Sequence, residues 1–565
     1  MSHFRSFRLA PLAAAAVLVA CGDDSVPIPQ LTPATPGTLQ ACAGLASAFS
    51  FANTAITGAA DVAAGVLTVA GNPVPAHCRV TGTMYSRTGV NGNYAIGFEM
   101  RMPVAWNGRF FYQANGGTDG AVGTATGGVG GGGSLTNALA QGFAVISSDA
   151  GHNGAQNAAG TANFGNDPQA RLDYGYQAVA KLTPMAKALV QAGYGRGPDR
   201  SYIGGCSNGG RHTMVAAARY AEMYDGYLVG DPGFNLPKAA TANIAGYQQY
   251  LTVASTPGDA GSAFTLAERT LVSNAALAKC DALDGASDGL IQDTAACKTA
   301  FDLNRDVPTC TGARDGSCLT SAQKTVIAQL FAGAQTSTGT KIYSSFPYDN
   351  GLMTNGWSFW KFVVPSILDS VAVGQIFQVP PEDPATFIGP VFAATGNVDQ
   401  MVARINATNG TFTESAMSFM TPPNATELSV LKNRGAKMMV FHGTADPIFS
   451  SDDTTDWYDG VRRNNGGSAA DFARYYAIPG MNHCAGGPST DQFDMLTPLV
   501  AWVEKGQTPD QVLATARGAG NAGGVNTDLP SSWAPNRTRP LCPYPQVAHY
   551  KGSGSVEDAA NFSCR

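Results

Sequence analysis

Charged side chains are scarce in this chain of 565 residues. Lys, Arg, Asp and Glu make up 13% of it and the formal net charge is −6, whereas a typical globular protein has about 25% charged residues. The sequence contains no run of lysines and arginines, which excludes the basic footprint of a nucleic-acid-binding protein. Long apolar runs are also missing after the N-terminus, since none reaches the ~18 residues of a membrane-spanning helix. We therefore expect neither a nucleic acid partner nor a later membrane span.

The N-terminus has the pattern of an export signal. Arg5 and Arg8 precede an apolar run over residues 9–20 that ends at Cys21, and this run is too short to span a membrane. The sequence Leu-Val-Ala-Cys at residues 18–21 resembles the lipobox of bacterial lipoproteins, in which the cysteine becomes the lipidated first residue. A plain signal peptide cleaved nearby is the alternative. We predict a signal peptide over residues 1–20 and a tether over 21–40, so the protein is exported to the periplasm, the outer membrane or the medium.

Ten cysteines remain after Cys21. An even number in an exported chain predicts a disulfide framework. Cysteines that are neighbours in the sequence suggest four pairs, namely Cys42–Cys78, Cys280–Cys297, Cys310–Cys318 and Cys542–Cys564. Cys206 and Cys484 are left over and would have to join across a long separation.

Strand and helix patterns alternate between residues 77 and 230, which is typical of an α/β fold with a mainly parallel sheet. The alternation stops after Gly230 and resumes at Lys437. We predict one α/β domain over residues 41–232 and 427–565, with a lid domain over 233–426 inserted into it. Two domains in series are the alternative, but the C-terminal part would then be too small to form its own sheet.

The stretch Gly-Gly-Cys-Ser-Asn-Gly-Gly at residues 204–210 follows a short strand pattern and precedes a helical run over residues 214–224. It fits the G-x-S-x-G nucleophile elbow, in which a serine lies on a strained turn between a strand and a helix. An ordinary glycine-rich turn is the alternative, because this motif is short and common.

Two later residues supply the partners that such a serine needs. An α/β hydrolase has them in the order Ser, acid, His, each after a strand. Asp446 follows the strand pattern of residues 438–441, and His483 follows that of residues 472–478. Ser207 is therefore the predicted nucleophile, His483 its general base and Asp446 the residue that orients the imidazole. Among the seven histidines, the competing candidates are His152, His212 and His442, none of which follows a late strand.

The elbow also predicts an oxyanion hole and explains the two unpaired cysteines. The oxyanion donors would be the N–H of Asn208 and an N–H of the early glycine loop, for which we choose Gly117. Cys206 and Cys484 adjoin Ser207 and His483, so a contact between serine and histidine brings both cysteines within bonding reach. Two unrelated buried cysteines are the alternative.

A cluster of aspartates in the predicted lid resembles a calcium loop. Ca²⁺ takes six to eight oxygen ligands from carboxylates and carbonyls. Asp281, Asp284 and Asp288 would supply carboxylates, and Ala286 and Leu290 backbone carbonyls. The spacing is not that of an EF-hand, and a solvated acidic turn is the alternative.

Taken together, these motifs resemble the tannase/feruloyl esterase family of α/β hydrolases over nearly the whole mature chain. The resemblance rests on the elbow and on residues 443–446, 479–484, 486–488, 280–285 and 539–545. It implies the triad Ser207, Asp446 and His483, the Cys206–Cys484 bridge, a Ca²⁺ ion bound in the lid, and a lid that shapes an aromatic acyl pocket. Trp360 and Phe449 resemble the aromatic residues of that pocket.

The resemblance also implies a choice of substrates. Members of the family act on esters of gallate, of ferulate or of terephthalate, and in the terephthalate-specific members a lid arginine pairs with the free carboxylate. This chain has no arginine between Arg314 and Arg404, although Lys361 lies in that interval. We expect a monomeric serine esterase that acts on small aromatic esters through an acyl-enzyme. The alternatives are a feruloyl or gallate esterase with little terephthalate-monoester activity, a non-catalytic surface-binding lipoprotein and a peptidase.

Overall fold

The computed structural model describes Met1 and residues 28–90, 92–154 and 162–565. The predicted export signal after Met1 and the lipobox cysteine Cys21 lie outside the described residues, so their assignments stay predictions.

A nine-stranded mixed sheet forms the centre of the protein. Its strands, in chain order, are β1 (Thr54–Val62), β2 (His77–Gly89), β3 (Gly92–Pro103), β4 (Arg109–Gln113), β5 (Ala144–Ser148), β6 (Arg200–Cys206), β7 (Gly226–Gly230), β8 (Lys437–Gly443) and β9 (Ala473–Ile478). Across the sheet the order is β9-β8-β7-β6-β4-β5-β3-β2-β1. The first six pair in parallel and the last three are antiparallel. The mainly parallel α/β sheet predicted from the sequence is therefore confirmed.

Both faces of the parallel part of the sheet are buried. Every residue of β8 is buried, as expected of a parallel strand that is covered on both sides. Met438 and Val440 pack into one core cluster, whereas Met439 and Phe441 pack into a second, because side chains alternate along a strand. The ends of such strands can therefore present side chains at one edge of a rigid layer.

Helices surround this sheet and build the segment between β7 and β8. The α-helices are Leu45–Ala48, Pro168–Leu172, Ala178–Tyr194, Asn208–Arg219, Leu236–Thr252, Leu266–Cys280, Thr294–Ala300, Leu303–Asp306, Ser321–Ala332, Asn355–Ser358, Gly389–Thr395, Val398–Ile405, Ala416–Phe419, Ser429–Asn433, Ser451–Arg463 and Leu496–Lys505. Short 3-10 helices cover Asn163–Asn166, Ala221–Met223, Ala260–Ala263, Asp281–Asp284, Asn350–Met353 and Ala559–Asn561. Short strands outside the main sheet are Gly37–Thr38, Thr68–Val69, Asn72–Pro73, Ala105–Trp106, Gln492–Phe493, Val512–Thr515, Thr538–Leu541, Ala548–Tyr550 and Phe562–Cys564.

The segment between β7 and β8 has a hydrophobic core of its own, to which Tyr250, Phe264, Val272 and Trp357 contribute. We call this segment the lid, after the insert that the sequence predicts there, and that domain assignment stays a prediction. One helix among the described residues, Asn355–Phe377, is long and apolar enough to cross a membrane. Because 61% of its apolar window is buried, it is better explained as a core helix of the lid. π-helical turns cover Phe359–Val363, Pro365–Asp369 and Ala372–Phe377 within this helix.

Five disulfides join the ten cysteines outside the N-terminal segment. They are Cys42–Cys78, Cys206–Cys484, Cys280–Cys297, Cys310–Cys318 and Cys542–Cys564, which are the pairs that the sequence suggests. Disulfides persist in oxidising compartments, so this framework fits an exported protein.

Candidate active site

Ser207 lies at the turn between β6 and the helix Asn208–Arg219. Its φ of 66° and ψ of −127° are strained for a residue other than glycine. A Cβ atom at Gly205 or Gly209 would collide with the carbonyl oxygen of Ala114, which explains the glycines on both sides of the serine. The helix begins directly after Ser207, six residues earlier than the helical run in the sequence predicts, because the elbow turns straight from strand into helix.

His483 and Asp446 meet beside this turn. His483 Nδ1 lies 2.7 Å from Asp446 Oδ2, so the imidazole donates Nδ1–H to the carboxylate. Burial opposes ionisation of Asp446, but the charge of His483 and hydrogen bonds from His442 and His483 hold the pKa of this carboxyl well below its usual range. Asp446 is therefore ionised at neutral pH and fixes the tautomer in which Nε2 is the basic nitrogen.

The nitrogen that would take up the serine proton is available. His483 Nε2 is buried and has no hydrogen-bond partner among the described residues. The Cys206–Cys484 disulfide, with 6.1 Å between its Cα atoms, links the residue before Ser207 to the residue after His483. The structure thus brings the three predicted triad residues to the carboxyl ends of neighbouring strands.

The glycine loop after β4 lies against the elbow. A Cβ atom on Gly116 would be 3.9 Å from Ser207 Cβ, and the corresponding position on Gly117 is open space. Gly117 has a φ of 63°, which favours glycine. Asn208 opens its helix, so its N–H has no intrahelical acceptor. Both predicted oxyanion donors are therefore placed in the two segments that border Ser207.

Asp119 ties these two segments together and was missed in the sequence. Its Oδ2 accepts hydrogen bonds from Asn208 Nδ2 at 2.9 Å and from His212 Nε2 at 2.8 Å. Arg211, which is fully buried, donates to Asn208 Oδ1 at 2.6 Å. Of the competing histidines, His212 thus braces the glycine loop, while His152 contacts Thr118 O at 2.7 Å and stacks on Phe164.

A second pair of titratable residues lies behind Asp446 and was also missed. His442 Nε2 is 3.3 Å from Asp446 Oδ2, and Asp231 Oδ1 is 3.8 Å from the same nitrogen. Asp231 directly follows β7. The sequence contains one signal for Asp231, which is an acidic residue at the carboxyl end of a predicted parallel strand. It lies in Gly-Asp-Pro-Gly at residues 230–233, where the alternation of strands and helices stops.

The predicted pocket aromatics contact His483, the predicted general base. The rings of Trp360 and Phe449 lie 4.9 and 5.3 Å from the His483 ring, both nearly perpendicular to it. Trp360 comes from the lid and Phe449 from the loop after Asp446. Lys361 Nζ lies 3.7 Å from the centre of the Phe346 ring, and burial lowers its pKa to about 7 although the charges of Asp446 and Asp369 oppose that shift.

The predicted calcium loop has the features of an unneutralised cation site. Asp284 is buried and its Oδ2 has no hydrogen-bond partner in the part of the chain that the structure describes. Burial, together with the charges of Asp288 and Asp281, raises the pKa of Asp284 to about 7. Arg539 already pairs with Asp288, and Asp281 accepts the N–H groups of Asp288 and Gly289 at 3.0 and 3.1 Å.

A bound cation would relieve this repulsion, so the residues fit a Ca²⁺ ion with Asp284 as the best-placed ligand. The carboxylate oxygens of Asp281, Asp284 and Asp288 do not converge closely. Within residues 28–90, 92–154 and 162–565, three His, Cys, Asp or Glu ligand atoms converge within 4.8 Å only at Cys206, Asp231 and Cys484 and at Asp231, His442 and Asp446. Backbone carbonyls such as those of Ala286 and Leu290 would have to complete the coordination.

Residues 78–565 match the family described as tannase and feruloyl esterase. The chain belongs to this family. It is 41% identical over 530 residues to the mono(2-hydroxyethyl) terephthalate hydrolase of Piscinibacter sakaiensis. The aligned region covers 87% of this chain and 85% of that protein. It is 32% identical to an uncharacterized esterase of Xanthomonas campestris, over 94% of this chain and 92% of that protein.

Solved structures agree on the fold. The crystal structure of feruloyl esterase B from Aspergillus oryzae superposes with a TM-score of 0.72 at 24% identity, covering 93% of this chain and 99% of that one. The predicted α/β-hydrolase fold and the predicted family are therefore confirmed. Family and fold together make this member a carboxylic ester hydrolase.

Proposed function

We propose that this protein is an exported serine esterase that hydrolyses small aromatic esters through an acyl-enzyme, with Ser207, His483 and Asp446 as its triad. The observation that supports this most strongly is the arrangement of His483. Its Nδ1 is held by Asp446 at 2.7 Å, its Nε2 has no hydrogen-bond partner in the described part of the chain, and a disulfide ties its loop to that of Ser207.

The reaction follows from these positions. Ser207 Oγ attacks the ester carbonyl while its proton passes to His483 Nε2, and Asp446 stabilises the resulting imidazolium. The N–H groups of Gly117 and Asn208 receive the negative charge that develops on the carbonyl oxygen. The leaving alcohol takes the proton from His483. A water molecule then repeats the sequence on the acyl-enzyme and releases the acid.

Replacement of the nucleophile tests this proposal. Ser207→Ala should lower kcat for p-nitrophenyl and methyl ferulate esters by about a thousandfold or more, abolish labelling by a fluorophosphonate and leave the melting temperature unchanged. Ser201→Ala is the matched control, because Ser201 is a buried serine at the other end of the same strand.

Retained turnover or labelling in Ser207→Ala would overturn the triad. A wild-type protein that is never labelled would instead support the non-catalytic binder. A casein assay addresses peptidase activity.

An aromatic acyl group is supported by the rings that contact His483. The relatives differ in the substrates that they are named after, which include a terephthalate monoester and feruloyl esters. One observation favours a feruloyl or gallate ester as the better substrate. Lys361, a lysine within the interval that lacks arginine, has its ammonium group over the ring of Phe346, and a lysine lacks the bidentate geometry with which arginine holds a carboxylate.

The lid would also hold a structural Ca²⁺ ion. Asp281, Asp284 and Asp288 would provide carboxylates, and Ala286 and Leu290 carbonyl oxygens. The ion would neutralise the buried charge of Asp284 and so stabilise the lid, without taking part in the chemistry. Lipidation of Cys21 and a monomeric state complete the proposal, and membrane fractionation of Cys21→Ser and light scattering would test them.

A further inference from the structure

His442 lies on β8, four residues before the catalytic acid, and is fully buried. Three acceptors surround its Nε2 atom. These are Phe449 O at 3.0 Å, Asp446 Oδ2 at 3.3 Å and Asp231 Oδ1 at 3.8 Å. Nδ1 lies 2.8 Å from the hydroxyl of Thr454. Because every neighbour of Nε2 is an acceptor, that nitrogen carries a proton whether or not Nδ1 is protonated as well.

Two imidazole N–H groups consequently approach the same oxygen of the Asp446 carboxylate. Oδ2 faces both His483 Nδ1 and His442 Nε2. Oδ1 accepts the N–H groups of Ile448 and Phe449 at 2.9 and 3.1 Å. With donors on both oxygens the carboxylate cannot rotate without losing a charge-assisted hydrogen bond.

The carboxylate of Asp231 fixes the backbone next to His442 and His483. Its Oδ1 accepts Gly443 N–H at 2.6 Å and its Oδ2 accepts Cys484 N–H at 2.8 Å. The same carboxylate lies 3.4 Å from Cys206 Sγ. One fully buried side chain thus connects the end of β7 to the three loops that carry Ser207, Asp446 and His483.

We propose that His442 is a positioning residue of the triad, whose Nε2–H holds Asp446 Oδ2 in line with His483 and takes up part of its negative charge, while Asp231 anchors the loops around it. This inference rests on the triad of the proposed function. It adds that the acid is shared between two histidines, only one of which faces the substrate.

The charges around His442 determine the direction in which its removal would shift the pH profile of activity. Burial lowers the pKa of His442, but its hydrogen bond to Asp446 and the charge of Asp231 raise it by more, so that it ends above its ordinary value. The other titratable groups that interact with this cluster are His483, Asp453, Lys361, Tyr343 and Tyr475. Without His442, Asp446 would attract the proton on His483 more strongly, and the base would become free only at higher pH.

The test compares His442→Leu with His442→Gln on methyl ferulate between pH 5 and pH 9. Leucine removes the donor, so kcat should fall by about tenfold to a hundredfold with little change in KM. The acid limb of the kcat/KM profile should move to higher pH by about half a unit or more. Glutamine offers an amide N–H close to the position of Nε2–H and should restore most of kcat.

His77→Gln is the control for a buried histidine outside the site. His77 lies on β2 with contacts to Pro75 O and Arg101 at 2.8 Å. It should lower the melting temperature and leave the pH profile in place.

The inference is overturned if His442→Leu keeps both kcat and the acid limb, or if the leucine and glutamine variants lose kcat equally. The Ser207→Ala variant distinguishes a failure of this inference from a failure of the proposed function. An inactive Ser207→Ala beside an unaltered His442→Leu would remove this inference alone, whereas an active Ser207→Ala would remove the proposed function.

Discussion

Trp360 and Lys361 are neighbours in the sequence but face different surroundings. The indole contacts the ring of His483, whereas the ammonium group lies over Phe346. Burial lowers the pKa of Lys361 to about 7, so this lysine is only partly charged at neutral pH and loses its remaining charge as the pH rises. An acyl group beside His483 therefore meets aromatic rings first, and a free carboxylate on it would gain little from Lys361.

We accordingly expect methyl ferulate and methyl gallate to have higher kcat/KM values than the mono(2-hydroxyethyl) ester of terephthalate, measured in one panel at pH 7. Lys361→Met should leave the ferulate value within about twofold, because it removes no contact to His483. A terephthalate monoester that is by far the best substrate would show that the missing arginine is replaced by another group.

The sequence indicates those candidate residues whose proposed role follows from local context. Ser207, Asp446 and His483 each follow a strand pattern, and chain order then assigns their roles. Asp231 and His442 could not be found in this way. Asp231 contacts Gly443, 212 residues away, only because β7 and β8 are neighbours in the sheet, and no spacing in the sequence encodes that.

The acidic loop after the helix Leu266–Cys280 has a buried carboxylate that a bound cation would neutralise. Three aspartates lie within eight residues, and the buried oxygen of Asp284 has no partner among the described residues. A charge of this kind is costly to bury without compensation. The sequence indicates the loop by composition, whereas the ion pair between Asp288 and Arg539, from the distant strand Thr538–Leu541, needed the fold.

Removal of divalent metal with EGTA should therefore lower the melting temperature by roughly several degrees, and added Ca²⁺ should restore it. Asp284→Asn should abolish that response and leave the metal-free form no less stable than the metal-free wild type, because the repulsion is gone.

Asp293→Asn is the control, since Asp293 caps the next helix through Ala296 N–H and should keep the response to chelator. An identical melting curve with and without EGTA, together with no calcium by elemental analysis, would refute the site.

Across the whole molecule, the Cys206–Cys484 disulfide joins positions separated by 278 residues. It closes a loop that contains the lid and β7 to β9, and it does so directly beside two catalytic residues. The bridge therefore has two effects. It restricts the unfolded chain, which typically stabilises the folded state by about 2–4 kcal/mol, and it restrains the distance between the proposed nucleophile and base.

Replacing Cys206 and Cys484 together by alanine should lower kcat by about tenfold or more as well as the melting temperature, because small displacements of catalytic groups are costly. The control is the pair Cys310→Ala and Cys318→Ala, which removes a bridge in the lid and should leave kcat unchanged. Full activity in the first double variant would show that Asp231 and the packing alone hold the two loops.

The lid takes the place of the crossover connection between two neighbouring strands of the sheet. β7 and β8 pair in parallel, with Gly226 opposite Lys437 and Gly230 opposite Phe441, so the chain leaves the carboxyl end of β7 and returns at the start of β8. A parallel pair needs a crossover connection of about a dozen or more residues in any case, and a longer connection leaves the pairing of the two strands unchanged. Evolution can therefore remodel the lid while the strand ends below it keep their positions, which offers a physical basis for the varied esters that members of one family cleave.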